Sequence, residues 1–287
     1  MIMSNIKLMY VTNNPQVASI AQEVGVDRIF VDMEYIGKDI RQGGMDTVQS
    51  HHTFEDIKNV KAIIKDAELL VRCNPIHEAT ADYCSSAEEI DEIVRCGADI
   101  IMLPFFKTAE EVKTFVELVG GRARTMPLIE TREAAECIDE ILEIDGIDEL
   151  YIGLNDLHLS YGLTFMFQLL ADGTVDRLTS EIKAKGIPYG FGGIARIGDG
   201  MLPAENILME HYRLGSTAVI LSRTFCNTAK TTDLDEIRSI FCENVKNFRD
   251  YEEVIKKKSP AEMEGNVDFV KEKTAQIVEI IKSKQNI

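Results

Sequence analysis

Short apolar runs alternate with amphipathic stretches along most of the chain, and the rhythm repeats eight times. Ile6–Val11 and Arg28–Asp32 open the series as strands, with a helix at Gln16–Glu23 whose first turn suits Pro15. A polar, glycine-containing stretch from Glu34 to His52 follows; it is long for a strand-to-helix connection, which marks it for function. A helix at Phe54–Ile64, a strand at Glu68–Cys73, a helix at Ser86–Arg95 ending at Gly97, and a strand at Asp99–Leu103 come next. Thr108 caps a helix through Val119 in a capping-box sequence, then Ala123–Ile129 is strand five and Arg132–Leu142 a helix. Glu149–Ile152 is strand six, and a helical stretch from Phe165 to Lys185 breaks near Asp172-Gly173. Ile187–Phe191, Ala204–Leu214 and Ala218–Leu221 close the series as strand, helix and strand.

The strands are unbroken Val/Ile/Leu runs, as parallel strands buried on both faces require. Eight of them alternating with helices predict a (β/α)8 TIM barrel, an α/β fold, over an open doubly wound sheet. No strand-then-GxGxxG fingerprint speaks for a dinucleotide fold. From Asp233 onward the pattern is helical, so residues 1–230 are expected to form the catalytic barrel and 231–287 a C-terminal helical extension. Val270, Thr274, Ile277, Val278 and Ile281 make a stripe at helical spacing. It suits either the barrel's own end or a neighbouring subunit.

Charge narrows the functions. The 48 acidic and 31 basic residues leave a net charge of −17, which disfavours nucleic acid and anionic membrane surfaces as partners. The six cysteines form no CxxC pair and no zinc or disulfide spacing, as expected of reduced thiols in the cytoplasm. Neither a signal-peptide core nor a bilayer-length apolar run is evident, so a soluble, cytoplasmic protein is expected.

In such a barrel the chemistry gathers where the strands end. The polar residues there are Thr12 and Asn13, Asp32 and Glu34, Arg72, Glu130, Asp156, and Gly192-Gly193. Acids at two successive strand ends, Glu130 and Asp156, can reach one hard divalent cation, with water and substrate oxygens completing its shell. Either acid alone is equally well explained as a helix cap.

These residues lie in stretches that resemble the HpcH/HpaI aldolase and citrate lyase β-subunit superfamily. The resemblance rests on Ile129-Glu130-Thr131, on Gly153-Leu-Asn-Asp156-Leu157 with Ser160 and Gly162, on Val71-Arg72, and on Gly97 to Pro104; Asn74-Pro75 stands nearer the citrate lyase branch. It implies that Glu130 and Asp156 bind Mg²⁺ or Mn²⁺, that Arg72 holds the keto oxygen of a 2-oxo acid, and that backbone N–H groups of Gly153, Asn155 and Asp156 take its carboxylate.

The chain departs from that pattern at Asp32-Met-Glu34-Tyr35, where the aldolase branch keeps a proton-transferring histidine, and at Leu128, where it keeps a glutamine. Tyrosine titrates near pH 10 and is a weak base at neutrality. His51, His52, His158 and Asp32 are the remaining candidates for that proton. Gly190-Phe-Gly-Gly193 with Arg196, and Ser222-Arg223, stand where many barrels hold phosphate, although tight turns explain the glycines better.

A metal-dependent carbon–carbon lyase is the reading that follows, an aldolase joining or splitting a pyruvate-like 2-oxo acid and an aldehyde, sugars or sugar phosphates included. A citrate-lyase-like or CoA-thioester lyase or condensing enzyme, and a metabolite-binding barrel without catalysis, are its rivals. A homo-oligomer is expected.

Overall fold

The computed structural model describes residues 4–37, 52–228 and 230–285. Its strands are β1 (Lys7–Val11), β2 (Arg28–Asp32), β3 (Glu68–Arg72), β4 (Ile100–Leu103), β5 (Arg124–Ile129), β6 (Leu150–Ile152), β7 (Tyr189–Ile194) and β8 (Ala218–Leu221). All neighbours pair in parallel, and β8 returns to β1 with Val219 opposite Leu8, so the sheet closes in chain order. The expected (β/α)8 barrel is the observed fold.

Around it run α1 (Pro15–Glu23), α2 (Phe54–Ile63), α3 (Ser86–Arg95), α4 (Ala109–Val119), α5 (Arg132–Glu136) and α6 (Ile138–Ile141). Then come α7 (Leu154–Ser160), α8 (Gln168–Ala171), α9 (Thr174–Ala184), α10 (Ala204–Leu214), α11 (Leu234–Ile255) and α12 (Pro260–Gln285). Capping boxes at Thr53, Ser85 and Thr108 start α2, α3 and α4, each satisfying N–H groups that a helix end otherwise strands.

Two segments differ from the sequence expectation. The single helix expected at Arg132–Leu142 is two, because Cys137 takes a non-helical ψ of 23° between them. Residues 154–160, to which the pattern assigns no element, form α7; its N-cap, Gly153, offers no side-chain bond that would announce a helix.

Inside the barrel Met9, Phe30, Leu70, Met102, Met126, Leu128 and Tyr151 make one apolar cluster. Its N-terminal end is closed by charge. Arg28, fully buried, gives two hydrogen bonds to Glu149 (2.8 and 2.6 Å) and one to Glu68 (2.9 Å), and Arg124 bridges the same two acids. Breaking such a buried pair costs about 3–5 kcal/mol, which places this end of the barrel in the service of stability.

Tyr151 explains Gly190 of β7. Its hydroxyl donates to backbone carbonyls of Phe191 and Gly192 and accepts the Ile220 N–H at 2.9 Å. A Cβ at Gly190 would lie 2.6 Å from the Tyr151 ring and 2.4 Å from the Ala218 carbonyl oxygen. The β7–β8 register shifts between Gly190 and Gly193, so the strand bulges around the tyrosine.

The apolar stripe of α12 faces its own chain: Val270, Thr274, Ile277 and Val278 are buried where α12 meets α8 and α10. Asn266 donates to Glu210 Oε1 (2.7 Å) in the same seam. Among the described residues no helix is long and apolar enough to cross a membrane.

Candidate active site

β2, β3 and β5 each deliver one charged side chain to the C-terminal mouth of the barrel, because Asp32, Arg72 and Glu130 occupy the strand ends or the residue just past them. Asp32 lies opposite Arg72 in the β2–β3 register. Arg72 grips it with two parallel bonds, Nε to Oδ1 (2.8 Å) and Nη2 to Oδ2 (2.7 Å), while Nη1 stands 3.3 Å from Glu34 Oε2. This is the fork geometry that guanidinium and carboxylate share. The Phe30 ring lies beneath the guanidinium, 5.6 Å from centroid to Cζ.

Asp32, Glu34 and Glu130 are all buried. Burial alone would lower the Arg72 pKa; the charges of Asp32, Glu34 and Glu130 outweigh it and hold the guanidinium firmly cationic. Three buried carboxylates around one arginine leave an excess of negative charge, a setting that favours a further cation.

Glu130 is fixed by an unusual backbone. Phe105, just past β4, has φ of +49°, the left-handed region that a residue with a side chain rarely enters, and its N–H donates to Glu130 Oε1 at 2.9 Å. Gly153 supplies the space on the other side: a Cβ there would meet Glu130 Cβ at 2.9 Å and Oε2 at 3.0 Å. The Gly153 N–H donates to the Ile129 carbonyl (2.9 Å), so α7 starts directly against β5. Asp156 sits in the first turn of α7, partly exposed, with Asn155 exposed beside it. Glu130 and Asp156 are thus oxygen donors on neighbouring elements, and an all-oxygen set fits Mg²⁺ or Mn²⁺. Among the described residues no group of three or more His, Cys, Asp or Glu converges as a full cage, so a cation here would draw the rest of its shell from water or substrate.

The candidate histidines part company. His51 lies outside the described residues. His158 is buried on the inner face of α7, its Nδ1 3.2 Å from the Leu154 carbonyl one turn back. Burial lowers its pKa against smaller opposing effects from Asn155, Leu154 and Asp156, and its contacts do not reach Arg72, Asp32 or Glu130. His52, by contrast, is at the mouth: its Nδ1 accepts the Asp32 N–H at 2.9 Å. Tyr35 packs edge-on against Tyr83 (5.1 Å between centroids), and burial with the Glu89 charge raises its pKa, which disqualifies it as a base at neutral pH.

Asn74 ties the mouth together. Its Oδ1 accepts the Tyr35 and Ile36 N–H groups (3.0 and 2.9 Å), and its Nδ2 donates to the fully buried Glu89 (2.8 Å). The chain leaving β2 is therefore pinned to the residue pair after β3. Position alone, two past Arg72, is the only trace of this in the sequence.

The β7 and β8 ends offer less. Gly192 is buried with φ of +58°, packed against Leu154, and Gly193 is part of the bulge. In the turn beyond, the Gly198 N–H is taken by Glu205 (2.8 Å), Arg196 stands 3.4 Å from Asp199, and the Ser222 N–H donates to the Ile194 carbonyl. Acceptors of the chain itself thus meet the Gly198 N–H, the Arg196 guanidinium and the Ser222 N–H.

Comparisons with known proteins agree with this fold. A hydroxypyruvate/pyruvate aldolase from Rhizorhabdus wittichii is 39% identical over 79 residues, 25% of this chain and 32% of that protein, so the match spans about a third of the relative's length. An HpcH/HpaI aldolase from Desulfitobacterium hafniense superposes with a TM-score of 0.58 at 17% identity, covering 89% of this chain and 95% of that one. An HpcH/HpaI aldolase/citrate lyase family protein from Burkholderia cenocepacia gives 0.59 at 15%, covering 82% and 95%. A citrate synthase variant gives 0.53 at 17%, covering 76% and 86%. At these identities the structural likeness speaks for the shared fold. The family model for HpcH/HpaI aldolase/citrate lyase matches residues 6–166, more than half of the chain, and the protein belongs to that family.

Proposed function

We propose that the protein is a metal-dependent carbon–carbon lyase of the aldolase type, working on a pyruvate-like 2-oxo acid and an aldehyde. The observation that carries this reading is the buried Asp32–Arg72–Glu34 cluster beside Glu130 at the barrel mouth. The name of the hydroxypyruvate/pyruvate aldolase relative supports the choice of 2-oxo acid.

Making or breaking a bond next to a carbonyl places negative charge on its oxygen as an enolate. A divalent cation held by Glu130 and Asp156 would supply Lewis acidity to the keto and carboxylate oxygens of the substrate. Arg72, immobilised by two acids, presents a fixed positive charge to the same oxygen without reorganising during the reaction. The Phe105 N–H and the gap at Gly153 keep the Glu130 carboxylate in one place. Backbone N–H groups around Asn155 receive the substrate carboxylate, as the resemblance implies. In the synthetic direction the C3 carbanion equivalent attacks the aldehyde carbon and the aldehyde π pair moves onto its oxygen, which takes a proton.

The six cysteines are all free, in keeping with a reducing, cytoplasmic setting. Phe269 and Ile280, exposed eleven residues apart on one side of α12, support contact with a second copy of the chain.

Incubation with Mn²⁺, pyruvate and a series of short aldehydes should yield 4-hydroxy-2-oxo acids, and Glu130→Ala or Arg72→Ala should abolish them. Tyr35 in place of a histidine favours one rival, a thioester-condensing enzyme on the same barrel. Product from acetyl-CoA and oxaloacetate, with none from any aldehyde, would establish that rival instead.

A further inference from the structure

Three successive amides at the mouth are met by side-chain oxygens. The Glu34 N–H donates to Asp32 Oδ1 (3.2 Å), and the Tyr35 and Ile36 N–H groups donate to Asn74 Oδ1 (3.0 and 2.9 Å). The backbone is thus held on both sides of Glu34, whose buried carboxylate lies 3.3 Å from Arg72 Nη1. Asn74 can serve two amides with one oxygen because Glu89 decides which way its carboxamide faces. Glu89 Oε1 accepts Asn74 Nδ2 (2.8 Å), the Asn74 backbone N–H (3.2 Å) and the Tyr83 hydroxyl (3.1 Å). The carboxamide nitrogen must therefore point to Glu89 and the oxygen to the chain leaving β2. A reversed amide would set donor against donor on one side and oxygen against oxygen on the other. Asn74 and Glu89 are both buried, where such a mismatch is costly. Glu89 stands in the first turn of α3, and the helix dipole there favours its carboxylate.

We propose that Glu89 is a positioning residue for catalysis, acting through Asn74 on the Glu34 backbone to hold the Glu34 carboxylate against Arg72. This rests on the carbon–carbon lyase reading above. Glu89 bonds to Asn74 and Tyr83 and stands 4.0 Å from His77 Nε2, so it works at one remove from the guanidinium. The Asp32 fork fixes the Nε and Nη2 edge of Arg72, and Glu34 supplies the contact at Nη1. With Glu34 displaced, the guanidinium keeps one carboxylate and can swing about it. Its charge must stand where the enolate oxygen develops, so a small displacement costs transition-state stabilisation more than substrate binding.

Glu89→Leu removes the acceptor at similar volume, and Glu89→Gln restores one, since glutamine can turn its carbonyl toward Asn74. Amide hydrogen exchange at Tyr35 and Ile36 reads the geometry without turnover. It should quicken in Glu89→Leu and return toward wild type in Glu89→Gln. With Mn²⁺ and pyruvate in D₂O, Glu89→Leu should lower kcat for methyl deuteration about tenfold, the low end of losses when an outer-shell partner is removed, with KM and Mn²⁺ affinity within about twofold. Glu89→Gln should recover most of that rate. Asn74→Ala removes Oδ1 directly and should give the same pattern by a second route. Because Glu89 acts through Glu34, the loss in Glu89→Leu should not add to that in Glu34→Gln. Unchanged amide exchange, a full rate in Glu89→Leu and Asn74→Ala, or additive losses would each overturn the proposal. No methyl deuteration by the wild type, with the amides still responding to Glu89→Leu, would defeat the lyase reading and not the hold on Glu34.

Discussion

The Phe105 N–H donates to Glu130 Oε1 at 2.9 Å from a left-handed backbone, φ +49°. In that conformation the amide at the β4 end points across at the β5 carboxylate. Backbone strain therefore stands beside the buried Glu130 carboxylate, as is common where geometry serves function. Phe105→Gly and Phe105→Ala remove the same ring, but alanine keeps the Cβ that opposes positive φ. The glycine variant should be the more stable by about 1 kcal/mol, read from thermal or urea unfolding. Equal stabilities would show that Phe105 is unstrained.

Gly153 is required by closeness rather than by its own dihedral angles. Its missing Cβ would touch Glu130 Cβ at 2.9 Å, Oε2 at 3.0 Å and Leu128 Cδ1 at 3.1 Å. Gly153→Ala should leave the barrel folded and shift the Glu130 carboxylate. Mn²⁺ affinity, measured by electron paramagnetic resonance or calorimetry, should fall on the order of tenfold, the scale of losses when groups supporting a ligand are disturbed. Unchanged affinity would separate Glu130 from the metal.

Much of this was legible in the sequence, and the reason is topological. Parallel strands buried on both faces leave apolar runs too regular to miss, and a barrel closed in chain order puts every strand end at one mouth. Asp32, Arg72, Glu130 and Asp156 were visible on that basis alone. What escaped depends on contacts made only once the barrel closes. His51 and His52 are indistinguishable by spacing, yet only the folded chain sets His52 against the Asp32 amide. Nothing in Pro104-Phe105 signals a positive φ, which glycine or asparagine would normally announce. Tight turns are the preferred sequence reading of the β7 glycines, but the packing reason for Gly190, the Tyr151 ring, is seen only in the folded barrel.

His211 gives the protein an acid-sensitive core. It is fully buried on α10, stacked on Phe191 at 3.8 Å, with Nδ1 2.8 Å from Ser216 Oγ and no partner for Nε2 among the described residues. Burial pushes its pKa from 6.5 down to about 3. The unfolded chain then binds a proton below pH 6.5 that the folded chain refuses, so this contribution is intact above 6.5 and lost as pH falls toward 3. The loss approaches about 1.4 kcal/mol per pH unit. His211→Leu should flatten the stability profile between pH 6 and 4 by roughly that slope, followed by urea titration at each pH. Identical profiles would mean that His211 is not the titrating group.

The most direct measurement of the central claim is deuterium incorporation into the methyl group of pyruvate in D₂O, followed by proton NMR with Mn²⁺ present. Wild-type protein should incorporate deuterium, with the rate abolished by Glu130→Ala and by Arg72→Ala. Failure to label any 2-oxo acid by protein that demonstrably binds Mn²⁺ would contradict an enolate-forming site at Glu130, Asp156 and Arg72.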